Sequence, residues 1–135
     1  MVSELMTRLR HHPLASSKLF LLERPSDADI DRLYSNASAL LFLSKGEGFG
    51  LPLVEAANYG ISIVCSDIPV FHEIAGEFAT YVTNADSNSL ADDLRTWWKK
   101  KKAGNVPDTR KMHRLTWEQS AEAILSVILE NKWIC

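Results

Sequence analysis

Apolar residues along this chain follow two patterns, and the change from one to the other predicts its elements. Compact apolar runs of strand length occur at Lys18–Leu22 (KLFLL), Ala39–Leu43 (ALLFL), Ile61–Cys65 (ISIVC) and Ala79–Thr83 (ATYVT). Between them the apolar positions recur at helical spacing. Ile30, Leu33, Tyr34 and Ala37 share one face of a segment reaching about Asn36, and Ser26 with Asp29 has the spacing of a capping box at its start. The next helix is predicted from Pro52, whose missing N–H is no loss at a first helical position, to about Tyr59. Gly60 supplies its left-handed cap. Further helices are predicted at Val70–Ile74 (ending at Gly76), Ser89–Lys102, and from Thr116 to about Asn131, within a closing segment 116–135. At the front, Ser3 is placed to cap a short helix reaching His12, with Leu5, Met6 and Leu9 on one face and Pro13 as its stop.

Strands that are apolar throughout imply burial on both faces. Strand and helix in alternation then describe an α/β chain with a Rossmann-like, doubly wound parallel sheet. A length of 135 residues supports one core and a single domain over 1–135. A net charge of −2 argues against nucleic acid as a partner. Cys65 and Cys135 are too few and too far apart for a zinc site or a disulfide framework; Cys65 reads as a buried thiol and Cys135 as a frayed end. The opening MVSELMTRLR mixes acid and base and has no long apolar core, so it is not read as a signal peptide, and a cytoplasmic setting is expected.

The chemistry concentrates in EGFGLPLVE, residues 47 to 55. In open α/β sheets ligands bind beyond the carboxyl ends of the strands, and this stretch joins the ALLFL strand to the following helix. It is not GxGxxG, because positions 51 and 53 are leucine, and it lacks the Gly-Lys-Ser/Thr of a P-loop. Gly48 and Gly50 let a backbone approach a ligand closely, and the first N–H groups of the helix form a ready phosphate site. Two acids beside a phosphate make sense where sugar hydroxyls need ionised acceptors. Glu55 is placed to take both hydroxyls of a ribose, and Glu47 lies on the other side of the phosphates. That order describes a nucleotide-sugar.

EGFGLPLVEA, the Gly-ended helix, the next strand and SDIPVFHE resemble the donor-binding C-terminal domain of GT-B fold retaining glycosyltransferases, specifically glycosyltransferase family 4 (group 1). The resemblance runs from about Lys18 to the final helix. It implies that Glu47 contacts hydroxyls of the donor sugar and is the catalytic candidate, and that the backbone of Gly48, Phe49, Gly50 and Leu51 lines sugar and diphosphate. Glu55 would bind ribose, and Glu73 matches an acid that is more often structural. Departures are Leu43 for a usual proline, Asn58 and Tyr59 for Met and a small residue, and Glu23 where a glycine is frequent. The implied donor is a UDP- or GDP-sugar, the acceptor a saccharide or lipid-linked saccharide, with no metal and no cofactor. The implied setting is polysaccharide biosynthesis by a hexosyltransferase.

The same resemblance implies that the chain holds only the last four strands of its domain and is N-terminally incomplete. The 135 residues by themselves are then expected to be inactive, with turnover belonging to a parent enzyme. KLFLL is expected either to pair beside ALLFL or to leave an unpaired edge through which the chain self-associates. A non-catalytic binding or scaffold fragment is the alternative function, and a GT-B-like epimerase or phosphorylase a weaker one.

Other candidates have plain explanations. His11 and His12 suit a helix end, His72 and Glu73 read as a helix-surface pair with no third partner, and His113 has no motif around it. Lys45 reads as a solvated lysine, and the Phe49 ring is expected to pack inward. Trp97, Trp98 and Lys99 to Lys102 admit two readings. One is a peripheral patch for anionic lipid headgroups at the inner membrane face. The other, preferred, is a helix that buries its tryptophans and ends in cations suited to its dipole.

Overall fold

The computed structural model describes residues 2–83 and 86–129. The chain divides into two compact units, residues 1–35 and 36–135. The first holds helix α1 (Val2–Arg10) and nearly all of α2 (Asp27–Asn36). Helix α1 begins at Val2, so Ser3 lies inside its first turn rather than capping it. The predicted box ahead of α2 forms. The Ser26 N–H and hydroxyl both donate to Asp29 Oδ2 (3.0 and 2.7 Å), and the Asp29 N–H returns to Ser26 Oγ at 3.3 Å. These bonds, the Ser26 side chain's first, hold the Asp29 carboxyl below its ordinary value.

Lys18–Leu22 is not a strand. An apolar run states what its side chains favour, but a strand also requires a neighbour for its backbone groups. Here the Leu14 carbonyl accepts the N–H groups of Ser17, Lys18 and Leu19, and the Ser16 N–H reaches the Leu19 carbonyl at 2.9 Å. Leu19 makes one isolated bridge with Ala15, and Phe20 and Leu22 stay exposed. KLFLL therefore supplies no strand, and among the described residues the sheet has three strands where four are expected.

Those three form the second unit's parallel sheet: β1 (Ala39–Phe42), β2 (Ser62–Ser66) and β3 (Thr80–Val82), in the order β1-β2-β3. Helix α3 (Leu51–Tyr59) connects β1 to β2, α4 (Pro69–Ala75) connects β2 to β3, and α5 (Ser87–Lys102) follows β3. The register sets Phe42 beside Cys65 and Cys65 beside Tyr81. Side chains alternate along a strand, so these three share one face with Ile63, and Phe71 of α4 packs there with its ring 5.3 Å from that of Phe42. On the other face Val64 and Val82 cluster with Trp97 of α5, and Ala39, Leu90 and Leu94 close around them. All five residues of β2 are buried, as two covered faces require. Double burial does not extend to β1, where Leu41 is half exposed.

Capping chemistry sets the helix limits. Gly60 ends α3 at φ +67°, and a Cβ there would meet the Arg110 side chain at 2.9 Å. Helix α5 starts two residues before the predicted Ser89 because Asp86 caps it, accepting the N–H groups of Asn88 (2.7 Å) and Ser89 (3.0 Å). Its Trp97 is buried, in keeping with the core reading, while Trp98 is half exposed. Lys101 Nζ turns back to donate to Ser62 Oγ at 2.7 Å. After α5, Thr109 is buried and its hydroxyl donates to the Ile61 carbonyl at 3.0 Å. Helix α6 (Trp117–Leu129) opens with a reciprocal box between Thr116 and Gln119. The predicted end of this helix near Asn131 and the frayed Cys135 lie outside the described residues.

Candidate donor site

The glycine loop, residues 43–50, leaves the C-terminal end of β1 and enters α3. Its internal support is slight. Ser44 Oγ donates to the Gly46 carbonyl (3.0 Å) and accepts the Gly46 N–H at 3.4 Å. Gly50 then takes φ +98° and ψ +47°, a region that glycine enters without penalty, and its carbonyl accepts the Leu53 N–H at 2.9 Å. Among the described residues nothing accepts the N–H groups of Gly48, Phe49, Gly50 and Leu51. Four successive amides thus lack an acceptor among the described residues at the tip of a strand and the start of a helix, where the helix dipole favours negative charge.

The two glycines prove different. Gly50 is buried, and a Cβ on it would lie 3.0 and 3.3 Å from two ring carbons of Phe71. Gly48 has no positive φ, and a Cβ there would meet nothing within 4 Å. The chain itself therefore requires glycine at 50 but not at 48. The expectation for Phe49 is corrected: its ring is half exposed, because the inward place beneath the loop is taken by Phe71, which is fully buried. Glu47 is exposed on the loop, Leu51 is exposed at the first position of α3, and Lys45 is exposed. Glu55 is exposed on α3 and already has an interaction within the chain.

A second group stands just past the end of β2. His72 was read as lacking a partner beyond Glu73, yet its Nε2 lies 2.6 Å from Asp67 Oδ1. Its ring stacks on Tyr81 with centroids 3.8 Å apart. The Tyr81 hydroxyl donates to the Gly76 carbonyl at 2.6 Å, with the Phe71 carbonyl at 3.2 Å sharing the proton. Burial, then the Asp67 carboxylate, pushes the Cys65 thiol up to about 12. Burial, then Cys65 and Asp67, pushes the Tyr81 phenol to about 12 as well. Both keep their protons at neutral pH, so neither thiol nor phenol is a ready nucleophile, and the Tyr81 hydroxyl serves instead to hold the backbone of α4. Glu73 is exposed on α4.

Sequence reasoning missed Phe71 and Asp67. The signal for Asp67 was available: in SDIP the proline opens a helix, which turns a residue five positions later back over the acid. Among the described residues no three His, Cys, Asp or Glu side chains gather where a metal could be held, and no helix is long and apolar enough to cross a membrane.

A parallel sheet with helices on both faces and a glycine loop at a strand's carboxyl end places the second unit among Rossmann-like α/β domains. More narrowly, the chain belongs to the family of glycosyl transferases group 1, whose model matches residues 3–114. It is 42% identical over 124 residues to the serotype-specific mannosyltransferase WbdA of Escherichia coli, covering 92% of this chain and 15% of that protein. It is 42% identical over 78 residues to the O-antigen chain mannosyltransferase RfbU of Salmonella typhimurium, covering 58% of this chain and 22% of that one. With the GDP-mannose:cellobiosyl-diphosphopolyprenol alpha-mannosyltransferase of Xanthomonas campestris it shares 35% over 77 residues, 56% of this chain and 20% of the relative. The chain thus spans only 15% to 22% of these relatives' length.

Proposed function

We propose that this chain binds a nucleoside-diphosphate sugar as the donor part of a retaining glycosyltransferase. The observation that carries the reading is the run of four amides, Gly48 to Leu51, with no acceptor in the described chain, placed where a helix N-terminus and a strand tip meet. In this proposal the amides take the diphosphate and stabilise the charge it gains as the glycosidic bond to the sugar breaks. Glu47 contacts hydroxyls of the donor sugar, and Glu55 accepts from the ribose. The names of the relatives point to a mannosyl group and to GDP as its carrier, and to an O-antigen or lipid-linked saccharide as acceptor. Transfer itself is assigned to the longer protein that the relatives' length suggests, and its place to the cytoplasmic side of a membrane.

Titration of a folded, isotope-labelled sample with GDP, UDP and GDP-mannose tests the site by amide shifts. The expected result is movement of Gly48 to Glu55 with GDP and GDP-mannose and less with UDP. If neither nucleotide moves these amides, the donor reading is wrong and the non-catalytic alternative takes its place.

A further inference from the structure

The loop that would meet the donor has almost no bonds of its own. Among the described residues, only the Ser44–Gly46 pair braces it from within. Its order must therefore come from its two ends, and both ends meet the same side chain. Phe42, the last residue before the loop, packs its ring against that of Phe71 at 5.3 Å and a 35° tilt. Gly50, the last residue of the loop, lies so close to the Phe71 ring that a Cβ would come within 3.0 Å of it. Phe71 itself is fully buried on α4, whose backbone is held by the Tyr81 hydroxyl at the Phe71 and Gly76 carbonyls.

We propose that Phe71 is the positioning residue of the glycine loop, one ring that holds both feet of residues 43–50 and so sets where the amides of Gly48 to Leu51 point. A ring that only filled core volume would touch neighbours at large. This one packs against the residue before the loop and stands at tight contact distance from any Cβ at the loop's last residue. Amides aimed in advance bind an anion without the entropy loss of ordering a loop, which is how a buried ring away from the ligand acts on affinity. The effect on nucleotide binding rests on the proposed donor site; the effect on the loop does not.

The test compares Phe71→Leu with Val82→Ala, which trims the core on the sheet's opposite face, and reads the full chain in two ways. In the free protein, backbone heteronuclear NOE values of residues 46–51 should fall in Phe71→Leu and stay at the wild-type level in Val82→Ala. Both variants should lose thermal stability. In the presence of GDP, the dissociation constant should rise about tenfold or more for Phe71→Leu, a change of about 1.4 kcal/mol or more, and stay unchanged for Val82→Ala. Should Phe71→Leu fail to fold, Phe42→Leu, which removes the other ring of the pair at a half-buried position, carries the same comparison with a smaller effect. Loop NOE values equal to wild type in these variants overturn the proposal whether or not GDP binds. A wild type that ignores GDP, with the loop loosened as stated, sinks only the donor reading.

Discussion

Replacing Gly50 by alanine separates what the fold needs from what a ligand needs. Gly50 holds φ +98° and ψ +47°, beyond even the small left-handed region open to other residues. Holding alanine there costs about 1–2 kcal/mol. Its Cβ would also press on two Phe71 ring carbons at 3.0 and 3.3 Å, and that ring is fully buried against Phe42. Overpacking of this kind adds about 1–3 kcal/mol. The narrower freedom of alanine in the unfolded chain offsets about 0.4–1 kcal/mol. The net expectation is a loss of about 1–5 kcal/mol, against a total stability of about 5–15 kcal/mol for a domain. At this chain length that lowers Tm by about 3–25 °C. Urea unfolding followed by tryptophan fluorescence measures it, because Trp97 is buried in the sheet's core. Gly48→Ala is the control: open space and no positive φ keep it within about 0.5 kcal/mol of wild type. Gly50→Ala as stable as wild type, or Gly48→Ala equally damaged, would refute the reasoning.

Two further outcomes follow from the titrating groups. The Asp86 carboxyl is held below its usual value by the backbone N–H groups of Ser89 and Asn88, so its contribution is present above the unfolded value near 3.8 and is lost as pH falls through the lower folded value. Wild type should therefore exceed Asp86→Asn in urea midpoint at pH 6, and the two should converge as pH is taken below that window; a gap independent of pH would remove the charge from the account. Cys65, pushed up to about 12, should resist iodoacetamide in the native protein at pH 8 and react in urea, read by peptide mass. Its neutral form supports the fold fully below the unfolded value near 9.0, and that support fades as pH rises towards the folded one.

How much of this was legible beforehand depended on whether the determinant was local. The box at Ser26 and Asp29, the left-handed stop at Gly60 and the proline opening of α3 are set by neighbours within a few positions, and each formed as read, whereas Pro69 opens α4 one residue before the predicted Val70. Strand status is not local. KLFLL and ALLFL look alike as strings, but ALLFL finds a whole parallel strand, Ser62–Cys65, where KLFLL finds one isolated bridge. The glycine loop was found from its spacing, while its support was not, because nothing local distinguishes Phe49 from Phe71 as the ring beneath it. Their exchange of roles depends on which side of Gly50 the α4 helix arrives. Likewise Gly48 and Gly50 are equivalent as letters and differ only in the folded chain, where Gly50 takes a positive φ and lies against Phe71.

Thr109 seals the carbonyl of Ile61 from forty-eight positions downstream, and Arg110 lies over Gly60 beside it. During synthesis the sheet's middle strand is therefore made long before the residues that shut its near end have left the ribosome. Any shortened version ending at Lys102 would keep the glycine loop and every strand, yet leave that polar oxygen and the neighbouring groove unlatched. Met112 follows directly, buried and with its N–H on the Thr109 carbonyl at 3.0 Å, so the latch is complete only once the chain reaches that residue.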